Sequence, residues 1–219
     1  VGGDTGLKQT TKMKWSGLSI TAEELAAIVP IPEAVIADSG IPIWPEVMPR
    51  LASALGYKLD QATLFGVDKP SSFPDGIIPQ AITAGNTFTQ GKDLAKDVAS
   101  MGQKLAEQGF AMNGFASKPG LNWELIGLRN TNGTPIYVPS LASGAPSTLY
   151  GFGLNEVDNG AWDATKAVLL GADWSNFVVG IRQDITYKLL DQSVISDDNG
   201  KVILNLAQQD CVAMRVVFR

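Results

Sequence analysis

Leu18-Ser-Ile-Thr-Ala-Glu-Glu-Leu-Ala-Ala-Ile-Val-Pro-Ile31 is the stretch on which the architecture turns, because its local signals contradict one another. Thr21 followed three residues later by Glu24 is a capping-box pattern, in which two side chains close the first free N–H groups of a helix. Pro30 and Pro32 would cut that helix short, since each removes a donor and biases the residue before it toward extended backbone. Local physics leaves helix and strand level over these residues.

Upstream, residues 1–17 are rich in Gly, Lys and Thr with a lone Trp15, and read as an extended arm with a turn at Ser16-Gly17. The arm has few apolar residues to offset an ordering entropy of about 1–2 kcal/mol per residue, so it is expected to gain order only against a neighbour. Downstream, after Gly40, Pro42 and Pro45, the spacing of Val47, Leu51, Leu55, Leu59 and Ala62 puts an apolar stripe on a helix running to about Phe65. Pro49 should mark its first turn or a kink. The loop 66–76, with Pro70, Ser71, Ser72 and Pro74, reads as a boundary between structural units. A second amphipathic helix carries Leu94, Val98, Met101 and Leu105 between Gly91 and a C-terminal stop at Gly109. A short helix from an Asn122 cap to Arg129 and a strand at 136–138 follow. From residue 176 the chain turns strand-rich, with runs at 177–181, 185–190, 202–206 and 211–218 and a tight Asp198-Asn199-Gly200 turn that predicts an antiparallel hairpin.

Composition narrows the function. At 219 residues and 45% hydrophobic content the chain can bury a core as one domain or two small ones. Charged residues make up 18%, few for a freely soluble monomer, so part of the surface is expected to be covered. The net charge is −5 and no stretch gathers Lys and Arg, so specific nucleic-acid binding is not expected. Neither an apolar run of about 18 residues nor a secretory signal is visible, which makes the cytoplasm the default compartment.

Histidine is absent, which removes Ser-His-Asp and Cys-His catalysis and nearly every zinc site. Cys211 is the single cysteine; it cannot form an internal disulfide and reads as a buried, inert thiol within an apolar run. Glu23-Glu24 and Asp197-Asp198 are carboxylate pairs, but adjacent side chains in a strand or tight turn do not converge on a substrate. The stretch from Gly85 to Gly91-Lys92 is one residue too long for a phosphate loop, and Asp93 stands where a metal-binding Ser or Thr belongs. Gly151-Phe-Gly-Leu-Asn-Glu156 lacks the third glycine of a dinucleotide fingerprint. Trp15, Trp44, Trp123, Trp162 and Trp174 are scattered and read as core or interface anchors, not as a stacking platform. Catalytic, cofactor-binding and metal-binding residues are therefore all assigned as none.

The order of segments resembles that of the tailed-bacteriophage and prophage major capsid family of the Hong Kong 97 fold. Lys14-Trp15 followed by residues 20–35 is similar to the return strand of the family's extended E-loop running into its peripheral domain. Ala62-Thr-Leu-Phe-Gly66 resembles the close of the long spine helix. Residues 123–129, Asn132-Gly-Thr-Pro-Ile136 and Leu149-Tyr-Gly-Phe-Gly153 resemble the axial domain, and Gly171-Ala-Asp-Trp-Ser175 with Val179-Gly-Ile-Arg-Gln-Asp184 resembles its exit. The resemblance implies an α+β chain with an E-loop remnant over 1–24, a discontinuous peripheral domain over 25–66 and 179–219, and an axial domain over 67–178. It resolves residues 18–31 as mainly strand. It also implies that the chain begins inside the E-loop and stops within a strand, as an N-terminally truncated member would.

The function so implied is a structural shell subunit and not an enzyme, assembling as pentamers and hexamers into an icosahedral shell around DNA that it does not bind specifically. Its location would be the virion capsid, and the host cytoplasm before assembly. Its partners would be other copies of itself, with scaffolding, portal and protease proteins, and no membrane. The alternatives are an encapsulin-type compartment subunit and an unrelated binding module. Lys12, Lys14 and Trp15 become the inter-subunit contact candidates. Some members weld subunits through a Lys to Asn isopeptide bond promoted by a Glu; that position falls at Gln208, which cannot act as a base, so no cross-link is expected. The spine helix is expected to pack Leu51, Leu55 and Leu59 against the strands at 185–190 and 211–218.

Overall fold

In the computed structural model, which describes residues 17, 20–91, 93–138 and 146–219, the contested stretch is a strand from Leu25 onward. β1 (Leu25–Pro32) alternates half-buried and exposed residues along its length. It pairs antiparallel with β9 (Cys211–Phe218) over eight residues, from Leu25 opposite Phe218 to Pro32 opposite Cys211. β9 also pairs with β6 (Thr186–Leu190), giving a three-stranded sheet in the order β1-β9-β6. Pro30 and Pro32 are tolerated because β1 lies on the sheet edge, where a missing N–H breaks no second ladder. Residues 20–24 form no helix, so the capping-box signal at Thr21 and Glu24 is overridden by the eight-residue ladder that follows.

α1 (Glu33–Asp38) follows, then α2 (Ile43–Asp60). α2 starts earlier than its apolar spacing suggests, with Pro42 as its cap; Pro45 fits the first turn, whose N–H groups have no intrahelical partner. Pro49 lies deeper in the helix than the sequence predicts. Leu51 and Leu55 are buried against Met214 and Val216 of β9, with Leu25, Ala27, Val29, Ile185 and Phe218 packed around them. Leu59 is only half-buried and lies outside this cluster, so the expected stripe ends one turn early.

The reason is a change of helix type. Residues Gln61–Phe65 form a π-helical turn that swings Leu64 and Phe65 into a different core. Gly66, at φ +68°, closes it. The chain then runs through the loop 66–76, as predicted, into α3 (Ile77–Thr83), which the sequence did not reveal. Gly76 returns against the end of the π turn so closely that a Cβ there would lie 2.4 Å from the Gly66 nitrogen.

α4 (Leu94–Glu107) is the helix read from Leu94, Val98, Met101 and Leu105; Asp93 caps it by accepting from the Lys96 N–H at 3.3 Å, and Gly109 at φ +85° ends it. Beyond it lies a four-stranded sheet in the order β3-β4-β2-β5, made of β2 (Gly114–Ser117), β3 (Thr148–Leu149), β4 (Phe152–Glu156) and β5 (Leu169–Ala172). β2 runs parallel to β4 and antiparallel to β5. One face presents Phe115 and Leu154 to Val98 of α4 and to Leu121 and Leu125 of α5 (Leu121–Gly127). The other face presents Ala116 to Leu64, Phe65, Ile78 and Trp162, with Phe65 and Trp162 meeting edge to face at 5.7 Å. β2 is buried at all four residues, so it has no alternation from which a strand could be read.

Four sequence readings need correction. α5 is capped by Gly120 at φ +83° and ends at Gly127, and Asn122 is inside it, its N–H donating to Glu156 at 2.6 Å. Residues 136–138 form no strand; a single bridge joins Arg129 and Pro135 instead. Residues 177–181 belong to no strand. The hairpin joins β7 (Val194–Ser196) to β8 (Val202–Asn205), with Asp197 closing the turn by accepting from the N–H groups of Asn199 and Lys201 at 3.0 and 2.8 Å. β9 leaves this hairpin to become the central strand of the other sheet, because its residues are apolar on both faces. The hairpin covers the face of β9 turned away from α2, where Leu206, Cys211 and Ala213 are buried with Ile195 and Leu204. The Cys211 thiol is buried there, as the sequence reading expected.

Candidate assembly surfaces

The described residues engage several of their carboxylates in hydrogen bonds. No group of three or more Cys, Asp or Glu among them could hold a metal ion. Asp197 is committed to its turn, and Glu23 accepts from the Ser72 hydroxyl. Asp163 and Asp173 titrate below the usual carboxylate range, held there first by the hydroxyls of Thr165 and Ser175 respectively, and both lie in exposed turns. Lys58 is raised by its hydrogen bond to Asp68, a surface pair. An open recess of about 460 Å³ beside α4 is lined by Ala95, Ala99, Gly102, Met112, Tyr150 and Phe152 among others, with no charged side chain. A substrate site would need convergent polar groups there.

The surface has a different character: it carries large apolar side chains in groups. At one end of the four-stranded sheet, Leu121 and Leu125 of α5 are buried while Trp123, set between them, points outward with 75% of its surface exposed. Leu128, Ile136 and Val138 are exposed on the adjoining bridge. Its base is fixed, since the Tyr137 hydroxyl, with one proton to donate, lies 2.9 Å from the Thr148 carbonyl and 3.1 Å from Asn122 Oδ1. Burial raises the Tyr137 phenol above its ordinary value, so it keeps its proton at neutral pH. These apolar residues are therefore displayed from a fixed base.

A second group lies at the exit from the same sheet. Asp173 receives the Ser175 hydroxyl at 2.5 Å and the Asn113 amide at 3.0 Å, while Asn113 Oδ1 accepts from the Trp174 N–H at 2.9 Å. The clamp sets Trp174 against Gly114, where a Cβ would come within 3.0 Å of the indole. The chain leaving it, residues 177–181, exposes Phe177, Val178, Val179 and Ile181. A third group, Val194, Val202 and Ile203, sits on the β7–β8 hairpin.

The model of the phage capsid family matches residues 1–219. The chain belongs to the phage capsid family. As such it is a structural capsid protein, and its solved neighbours agree. The capsid chain is 40% identical to a chain of Microbacterium phage Oxtober96, covering 99% of this chain and 71% of that one, with a TM-score of 0.84. It is 35% identical to a chain of Mycobacterium phage Cain over 90% of this chain and 63% of that one, with a TM-score of 0.75. A chain from the capsid of an empty GTA particle, computed with C5 symmetry, shares the fold at 18% identity over 97% of this chain and 75% of that one, TM-score 0.58. No curated protein matches.

The contact candidates read from the sequence, Lys12, Lys14 and Trp15, lie outside the described residues, as does Lys92. The four tryptophans among the described residues divide by role: Trp44 and Trp162 pack in cores, Trp174 lies on Gly114, and Trp123 is displayed. The sequence signal for Trp123 was its i+2 offset from two leucines four residues apart, which sets it on the opposite side of a short helix.

Proposed function

We propose that this capsid chain is a major capsid subunit of the Hong Kong 97 type, assembling as pentamers and hexamers into a closed icosahedral shell around DNA. Its peripheral domain comprises 25–66 and 179–219, its axial domain 67–178, and its E-loop segment 1–24. The carrying observation is the pairing of β1 with β9 beneath α2, which makes one body from segments nearly two hundred residues apart, as a discontinuous peripheral domain requires. The Trp123 group then belongs to subunit contacts around the symmetry axes. The lack of charge clusters suits an inner surface that does not hold packaged DNA tightly, since each phosphate contact would add affinity. Scaffolding, portal and protease proteins are the further partners, the host cytoplasm is the site of synthesis, and the chain itself has no enzymatic role. No observation favours an encapsulin-type compartment. Negative-stain microscopy of the purified full-length gene product tests the proposal: closed particles of uniform diameter are expected, and a product that stays monomeric at all concentrations would refute it.

A further inference from the structure

We propose that Asn132-Gly133 is a self-modifying site: in the folded subunit it deamidates ahead of the chain's other Asn-Gly pairs, converting Asn132 to aspartate and isoaspartate. The proposal concerns the subunit alone and stands apart from the shell reading above. Asn-Gly occurs at Asn113, Asn132, Asn159 and Asn199. This dipeptide is the one most open to the reaction, because glycine sets no side chain beside its own nitrogen and reaches backbone conformations that other residues do not.

The reaction needs only water. Hydroxide takes the Gly133 N–H proton, and the nitrogen attacks Asn132 Cγ. The new N–Cγ bond closes a five-membered ring as the Cγ–Nδ2 bond breaks, and the leaving nitrogen takes a proton from water to depart as ammonia. Water then opens the ring at either carbonyl, so the net change is amide plus water to carboxylic acid plus ammonia, with nothing oxidised or reduced.

Two of the four pairs are held against that attack. The Asn113 amide donates to Asp173 at 3.0 Å while its Oδ1 accepts from the Trp174 N–H at 2.9 Å, and Gly114 is buried. The Asn159 amide donates to Asp60 at 2.6 Å while its Oδ1 accepts from the Ala161 N–H at 3.0 Å. Turning either Cγ toward the following nitrogen breaks both bonds. Asn132 and Asn199 are exposed, and among the described residues neither side chain has a hydrogen-bond partner.

The two exposed pairs sit in matching turns, which isolates the effect of charge. Asn130 Oδ1 accepts from the N–H groups of Asn132 and Thr134 at 3.0 and 2.9 Å, and Asp197 Oδ1 accepts from those of Asn199 and Lys201 at 3.0 and 2.8 Å. The Gly133 and Gly200 N–H groups reach the Asn130 and Asp197 carbonyls at 2.9 and 3.0 Å, so opening the turn costs both pairs alike. The cradle around Asn132 is neutral, and the charged residue nearest to it in sequence is the cation Arg129. Around Asn199 stand the Asp197 carboxylate and Asp198, of which Lys201 offsets one charge. Negative charge there disfavours both the approach of hydroxide and the anionic glycine nitrogen. Conversion of Asn132 would place a negative charge at the tip of the loop whose base displays Leu128 and Ile136, joined by the Ile136 N–H to the Leu128 carbonyl at 3.2 Å.

Peptide mapping by mass spectrometry on the full-length protein, incubated in mildly alkaline buffer, measures all four rates in one sample. Asn132 should convert at least about tenfold faster than Asn113 and Asn159, which must each break two hydrogen bonds, and about threefold faster than Asn199. In urea, where the clamps are gone, Asn113 and Asn159 should rise to within about threefold of Asn132. Asn130→Asp, which keeps the accepting oxygen and adds the charge, should slow Asn132 to the rate of Asn199. Conversion of Asn113 or Asn159 as fast as Asn132 in the folded protein, a ranking that survives unchanged in urea, or an Asn132 rate unmoved by Asn130→Asp would each overturn the proposal. None of these outcomes bears on whether the subunit builds a shell.

Discussion

At the scale of single residues, the fold depends on a few positions where backbone meets backbone. A methyl group at Gly76 would face the Gly66 nitrogen at 2.4 Å, the Phe65 carbonyl carbon at 2.7 Å and the Leu64 oxygen at 3.0 Å, none of which can rotate away. Gly76→Ala should therefore cost about 3 kcal/mol by forcing the π turn off its core; urea denaturation at neutral pH measures it. Asp173 gives a pH signature. Its folded value is lowered, so the stability it contributes is fully present above the unfolded carboxylate value of about 4 and is lost as pH falls through the folded value. Thermal melts between about pH 6 and pH 3 should show a shallower acid decline for Asp173→Asn than for the unaltered protein. Gly76 was legible in the sequence only as the end of a loop, because its close neighbour is ten residues away and the approach is tertiary.

At the scale of elements, periodicity located α2 and α4 because each has one apolar face and a polar remainder, the condition under which spacing carries information. It failed where both faces are covered. β2 is four buried residues between two layers of helices and turns, and nothing in Gly-Phe-Ala-Ser marks it as a strand. Residues 18–31 were undecidable locally, since a capping box and two prolines act on neighbouring residues while the deciding ladder is formed with residues 211–218. The handover from α2 to the π turn also separates two leucines that sequence spacing treats alike. Leu55→Ala should cost about 3 kcal/mol, because Leu55 is buried against Met214 and Val216. Leu59→Ala should cost about 1 kcal/mol, as a half-buried side chain outside that cluster. Equal losses in chemical denaturation would show that the stripe continues through Leu59.

At the scale of the whole molecule, composition carried the sense of the function before any family was considered. Few charges and no histidine pointed to a scaffold with surface to hide. Where that surface lies was not legible, because exposure of Trp123 and of 177–181 depends on which elements pack beside them. Trp123→Ala should weaken subunit association by about 2 kcal/mol per contact while leaving the subunit melt unchanged, since the ring touches little within its own chain. Sedimentation velocity across a concentration series reads the first effect and circular dichroism the second.

The most direct measurement of the central claim is a cryo-electron microscopy reconstruction of particles grown from the full-length protein. The account predicts a closed shell with five-fold vertices, in which every subunit pairs β1 with β9 under α2 and buries Trp123 against a neighbouring copy. A product that forms only monomers or open aggregates, or a shell in which Trp123 faces solvent in every subunit, would contradict it.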